Sequence, residues 1–218
     1  MIRIERTYVS GWEAAIRGMR NPMNSWDFSD SYSTHIEDTE TLETAEFAFF
    51  VGDNDIQLMK KLAKAGSDHA KYRRMINVTC DITAPRYWWA EYDTYKVGTV
   101  ANSCSTMHKI HEKVFTLDDF SHEHLSGGDY GNLEMLKAVI TCLNVARLKY
   151  TETGDKDEWW QMIQLLPSSY NQRRTVQLNY EVLANMYRAR RCHKLDEWRS
   201  FCKWIEELPY SEIITGEG

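Results

Sequence analysis

Thr175-Val176-Gln177-Leu178-Asn179-Tyr180-Glu181-Val182-Leu183-Ala184-Asn185-Met186-Tyr187-Arg188-Ala189-Arg190 decides how the chain is read. Its apolar residues recur at helical spacing, which predicts one helix over residues 175–191. At about 100° per residue, Asn179 and Arg190 fall within about 20° of each other, roughly three turns apart. They share that face with Leu183 and Met186. A face mixing amide, guanidinium and apolar groups can line a pocket. By spacing alone, an ordinary amphipathic helix whose Asn bonds a neighbouring backbone group is the better account.

Working outward, Gln172-Arg173-Arg174 precedes this segment. Cations at a helix N-terminus oppose the macrodipole. A bound phosphate would offset that repulsion by taking both the free N–H groups and the guanidinium forks. A solvated basic turn is the alternative. The rest of the second half reads as helical: Asn132–Lys149, Asp157–Leu166 and Leu195–Leu208.

The first half reads as mixed. Strands are predicted at Ile2–Val9, Phe47–Val51 and Ile76–Ile82, and helices at Trp12–Met19, from Ile56 to Lys64 with Gly66 just past the end, and from Pro85. Asp27–Glu43 and Val97–Met107 have no period and read as loops. The expected fold is α+β, a small mixed or antiparallel sheet packed with helices and followed by a helical C-terminal half. No Gly/Ser-rich linker divides the chain, so residues 1–218 are expected to form a single domain.

Composition narrows the functional classes. Hydrophobic residues make up 43% and charged residues 27%, a globular balance. The net charge of −6 gives no overall steering to a nucleic acid polymer. No apolar run is long enough to span a bilayer, and the first fifteen residues lack a signal-peptide layout, so a cytoplasmic protein is expected. Five cysteines, none in CxxC spacing, point to reduced thiols. Gly-rich phosphate loops, GxGxxG and GxSxG are absent from the sequence.

Several local groups invite chemistry. Cys104, within Asn102-Ser103-Cys104-Ser105-Thr106, is a candidate nucleophile if His108 or Lys96 comes close, and a packing residue otherwise. His108, His111, His122 and His124 form a metal-like cluster without a matched thiolate pair. Arg20 with Asn21 and Asn24 is a candidate anion or amide site, or simple turn chemistry. Tyr87, Trp88, Trp89, Tyr92 and Tyr95 crowd one short segment, as a stacking surface or as core. Glu91 and Asp93 flank them, and a carboxylate there could pair with a base N3–H or a ribose hydroxyl.

Three blocks resemble the flavin-dependent thymidylate synthases. Leu166-Pro167 and Thr175–Arg190 match the family's Leu-Pro, then Asn-Ala-Arg, a second Asn and a closing Arg, with Asn179, Asn185 and Arg190 in register; Glu181 stands where the family has Arg. Lys64-Ala65-Gly66, a strand, Ala84-Pro85 and Thr94–Met107 follow the family's frame. Its Arg-His-Arg signature is reduced there to Lys96, Thr99 and Cys104. Met19-Arg20-Asn21-Pro22-Met23-Asn24 is the third and looser block.

The resemblance implies a homotetramer whose active sites draw on several chains. It implies C5 methylation, or a related C5 alkylation, of dUMP or a related pyrimidine nucleotide, with FAD, methylenetetrahydrofolate as carbon donor and NADPH as a candidate reductant. It places Asn179, Asn185, Lys96 and Asn102 at the cofactor. Arg190, Arg173, Arg174 and Glu91 fall at the nucleotide, and Ser103 and Cys104 at the reacting base. A nucleotide-binding or regulatory protein that has lost catalysis is the alternative on the same scaffold, and a His-cluster metal protein a further one.

Overall fold

The computed structural model describes residues 2–36, 46–129 and 131–216. Six strands and eight α-helices are defined within them. They are β1 (Arg3–Ser10), α1 (Trp12–Arg20), β2 (Tyr32–Ile36), β3 (Glu46–Phe50), α2 (Asp53–Lys64), β4 (Asn77–Pro85), α3 (Arg86–Tyr92) and β5 (Val100–Ser103). Then follow α4 (Asn132–Thr153), α5 (Lys156–Leu165), β6 (Asn171–Asn179), α6 (Tyr180–Arg190), α7 (Asp196–Glu206) and α8 (Glu212–Thr215). The α+β expectation holds.

The main sheet runs β1-β4-β6-β5 and is antiparallel throughout. Its centre follows from period-2 patterning. Val78, Cys80, Ile82 and Ala84 of β4 are all buried and point to one face. Val176 and Leu178 of β6 lie directly opposite Cys80 and Val78 and are buried on that same face. Trp88, Trp89 and Tyr92 of α3, Leu183 and Met186 of α6, and Trp198, Phe201 and Ile205 of α7 complete this core. The aromatic crowd at 87–95 is therefore mostly core: Trp88, Trp89 and Tyr92 are at most 2% exposed.

The predicted helix over residues 175–191 is corrected here. Asn171–Asn179 is a strand and only Tyr180–Arg190 is helical. Thr175-Val176-Gln177-Leu178 alternates polar and apolar, a period-2 signal hidden by the helical period that follows it. Strand β4 needs a partner on the side away from β1, and this segment supplies it. Two predicted loops are also corrected. Val100–Ser103 is the edge strand β5, recruited by pairing with β6. Tyr32–Ile36 is β2, paired antiparallel with β3. Residues 37–43 of the loop predicted over 27–43 lie outside the described residues.

A second, smaller core lies under the α4–α5 hairpin. Leu136, Ile140, Leu143 and Ala146 of α4 meet Met162 of α5, and Ile110, Phe115 and Phe120 of the preceding segment. Gly154, left-handed at φ 69°, ends α4, and the Asp155 side chain accepts from the Asp157 N–H to open α5. Arg20, a predicted anion site, is instead structural. It is 4% exposed, its Nε lies 2.6 Å from fully buried Asp55, and it also donates to the carbonyls of Ser25 and Phe28. No helix among the described residues is long and apolar enough to cross a membrane.

Candidate functional site

The turn from β6 into α6 builds the site. Asn179 is the last strand residue and the N-cap of the helix: its backbone is extended, and its Oδ1 accepts the Val182 N–H at 3.0 Å. With the oxygen engaged, the amide nitrogen faces Gly98. A Cβ on Gly98 would lie 2.9 Å from Asn179 Nδ2 and 3.0 Å from Val182 Cγ2. Gly98 also sits at φ +78°, where a side chain is strained. We expect Gly98→Ala to cost about 1–2 kcal/mol from backbone strain alone. Thermal melting checks this, since a loss of that size lowers Tm by roughly 2–8 °C in a chain of this length. An unchanged Tm would contradict the close packing of the 97–98 loop on Asn179.

Glu181, Asn185 and Arg188 follow at four- and three-residue steps along one side of α6. They line a cavity of about 670 Å³ together with Asn179, Arg73 and Arg74. Its Asn179–Asn185 pair was predicted from the sequence. Arg73, Arg74, Gly98 and Arg188 were not. The adjacent arginines just ahead of the apolar strand β4 were the available signal. Buried Glu181 pairs with buried Arg73 at 3.6 Å, so a guanidinium from another element stands beside the carboxylate at the family's Arg position. Lys96 is exposed and adjoins Val97 and Gly98 at the rim.

Arg190 points elsewhere. The shared face with Asn179 required a helix that begins before Tyr180, and the strand removes that geometry. Arg190 Nη1 lies 2.7 Å from Glu91 Oε2, its Nε donates to the Tyr95 hydroxyl at 2.9 Å, and its guanidinium stacks 4.8 Å over the Trp198 ring. Glu91 Oε2 also accepts the Trp198 indole N–H at 2.9 Å. Two of the four residues assigned to the nucleotide, Arg190 and Glu91, are thus each other's partners.

The β5 edge forms a third group. Asn102 and Ser103 are exposed and pair with Thr175 and Arg174 across the β5–β6 ladder. The Cys104 N–H donates to the Arg173 carbonyl at 3.0 Å. Exposed Cys104 lines a groove of about 450 Å³ with Lys109, Lys113, Tyr170 and Arg173. Arg173 and Arg174 lie inside strand β6, several residues before the α6 N-terminus, so the predicted macrodipole repulsion does not arise. Arg173 pairs with Asp81, whose carboxyl is held below the usual range first by the Thr175 hydroxyl and then by Arg173. Arg174 donates to Asp93 at 2.7 Å and stacks 4.2 Å over Trp89.

The predicted histidine cluster disperses. His111 packs on Tyr150, His122 Nδ1 lies 2.8 Å from the Phe120 carbonyl, and His124 bonds Asp196. Among the described residues no three His, Cys, Asp or Glu side chains converge to hold a metal. Burial pushes the thiols of Cys80 and Cys202 up to about 12, so they act as packing groups.

No protein-family model matches the chain, and no curated protein matches it by sequence. Solved structures do match. Flavin-dependent thymidylate synthase ThyX from Helicobacter pylori, complexed with FAD and dUMP, superposes with a TM-score of 0.69 at 16% identity, over 98% of this chain and 98% of that one. A second structure of that enzyme with FAD and dUMP gives 0.69 at 15% identity, over 99% and 98%. The UMP/dUMP methylase PolB from Streptomyces cacaoi, bound with 5-Br dUMP, gives 0.59 at 14% identity, over 99% and 95%. At these identities the likeness is one of fold, and over its whole length this chain has the fold of the flavin-dependent thymidylate synthases.

Proposed function

We propose that this protein binds a deoxyuridine nucleotide of the dUMP class and alkylates its C5 position with the help of flavin. The observation that carries the reading is the pocket at the β6–α6 turn, where Asn179 and Asn185 meet Arg73, Arg74 and Arg188 on a scaffold shared with enzymes crystallised with FAD and dUMP. Amides and cations around a cavity of about 670 Å³ fit an anionic, ring-bearing ligand such as a flavin nucleotide. Asn179 is fixed by its capping bond and presents only its amide N–H groups, while exposed Asn185 presents both ends of its amide. Lys96 at the rim and Asn102 on β5 are assigned to the same cofactor. When bound, reduced flavin supplies the reducing equivalents that a methyl transfer from methylenetetrahydrofolate requires, with NADPH as their source.

Arg190, Arg173, Arg174 and Glu91 are assigned to the nucleotide, and Asn102, Ser103 and Cys104 to the face of its base. In one chain these groups form separate clusters, which supports a site completed by neighbouring copies in a cytoplasmic homotetramer. The exposed apolar residues Met135, Val145 and Leu148 of α4 are consistent with such contacts. A second reading, nucleotide binding without turnover, is favoured by one observation: Glu181 in place of the family's Arg puts a carboxylate where a cation would meet an anionic cofactor.

The visible spectrum of the purified protein, before and after FAD addition and desalting, tests the proposal. Stoichiometric retained flavin absorbance and dUMP-dependent turnover with methylenetetrahydrofolate are expected. A protein that stays colourless after FAD addition would sink the flavin mechanism. Tight dUMP binding without turnover would select the second reading.

A further inference from the structure

Helix α4 is apolar on two faces. Leu136, Ile140, Leu143 and Ala146 are buried in the core under the α4–α5 hairpin. The opposite face carries Met135, Ala138, Thr141, Cys142, Val145 and Leu148, within an arc of roughly 140° at about 100° per residue. All six are exposed, Met135 at 64% and Val145 and Leu148 at 51% each. The Thr141 hydroxyl donates to the Lys137 carbonyl at 3.0 Å, which leaves its methyl group as the part on offer to a neighbour. Cys142 and Val145 also wall a groove of about 370 Å³ between the two helices, with Gln161 and Leu165 of α5 on its other side.

A helix that is hydrophobic all round is a buried helix, since leaving one side in water forfeits the gain from covering it. A single chain covers only one side of α4. Between Lys137 and Lys149 the one charged residue is Arg147, and its Nη1 is turned to the His111 carbonyl. The outer face is also self-complementary. In an antiparallel pair of α4 helices, about a two-fold axis between Thr141 and Cys142, Ala138 comes level with Val145 of the second copy, Met135 with Leu148, and Glu134 with Lys149. A small side chain then meets a larger one where the helices approach most closely. Unlike charges meet at both ends. Glu134 holds Lys137 at 2.7 Å and Lys149 holds Glu158 at 3.1 Å, so the pairing joins two existing ion pairs into one chain of alternating sign.

We infer that the outer face of α4 docks on the same face of a second copy of this chain. The two α4–α5 hairpins then form an antiparallel four-helix arrangement, with Cys142 of each copy beside the two-fold axis. The occupant is a second copy and not an unrelated helix, because the complementary charges and the small and large side chains all lie within the one face. The inference rests on the multi-chain reading above for the presence of a second copy, and not on flavin or dUMP.

Cys142 reports the contact. In a Cys104→Ser/Cys192→Ser background it is the one exposed thiol, because Cys80 and Cys202 are buried. A short bismaleimide should convert the full chain mainly to a covalent dimer, with a yield that holds on about tenfold dilution as long as sedimentation still shows a multimer. Val145→Glu and Ala138→Lys should each weaken self-association at least about tenfold, and the double variant should recover most of that loss. The recovery is specific to the antiparallel register, since the two positions lie about two turns apart in one helix and meet only between copies. Both are exposed in the single chain, and circular dichroism checks the fold of each variant. A multimer that yields no Cys142 dimer, or that assembles unchanged with Val145→Glu, would overturn this face and leave the multi-chain reading standing. A yield that falls in step with dilution would mark random collision and overturn it too, as would a double variant no stronger than the singles. A chain that sediments as a monomer would overturn both readings. Neither readout depends on flavin or dUMP binding.

Discussion

Asp55→Ala is expected to destabilise the protein by about 3–5 kcal/mol, because it strands a buried guanidinium without its counter-charge. Asp55 is fully buried, Arg20 is 4% exposed, and the carboxylate also accepts the Ser29 and Ser31 hydroxyls at 2.6 Å each. One carboxylate thus ties α1, the segment after it and the start of α2. In thermal unfolding the loss corresponds to a Tm drop of roughly 6–20 °C for a chain of this length. The effect carries a pH signature. Burial alone would raise the Asp55 pKa, but the Ser29 and Ser31 hydroxyls and the Arg20 guanidinium outweigh it, so the group lies below its ordinary 3.8. A depressed carboxyl contributes stability that is fully present above the unfolded value and is lost as pH falls through the folded one. The gap between wild type and Asp55→Ala should therefore be constant from about pH 5 upward and shrink below about pH 4. Urea unfolding across that range measures it. A gap under about 1 kcal/mol at neutral pH would show that the network is not the anchor described.

Glu181→Arg restores the residue that the thymidylate synthases carry at this position, yet here it is expected to be severely destabilising. The substitution places a second guanidinium beside Arg73, in a site where the two native side chains are only 7% and 11% exposed. Removing one partner of a buried pair costs about 3–5 kcal/mol, and putting a like charge in its place adds repulsion. Reversing the pair with Arg73→Glu/Glu181→Arg should recover most of the loss, since the double variant again sets opposite charges together. A double-mutant cycle in urea isolates this coupling. If the double variant is as unstable as the sum of the singles, the two residues do not act as a pair. If Glu181→Arg alone is neutral, the site is wetter than its burial indicates.

The local chemistry of the chain was legible wherever one period governed a whole segment. Strands β1 and β4, and helices α1, α2, α4, α5 and α7, emerge from apolar spacing with boundaries shifted by a few residues. The register of Asn179 and Asn185 was readable too, and the structure places both on one pocket. The sequence also identified the second half as the part that carries the distinctive motif. Three features needed the tertiary structure. The first is the switch at Asn179, because strand pairing with β4 is a non-local interaction that outweighed a helical pattern extrapolated backwards through Thr175–Leu178. The second is β5, four exposed residues with no apolar alternation, which become a strand only because β6 offers an open edge. The third is the partner of each charge. Spacing along a chain does not reveal that Arg190 meets Glu91, that Arg173 meets Asp81, or that Arg73 comes from a separate turn to meet Glu181. Periodicity is a property of neighbours in sequence, and so the sequence by itself determined most of the elements, while the candidate amides came from its register with the family it resembles. Ion pairs and pocket walls depend on which distant residues folding brings within a few ångströms, and that was decided only by the tertiary structure.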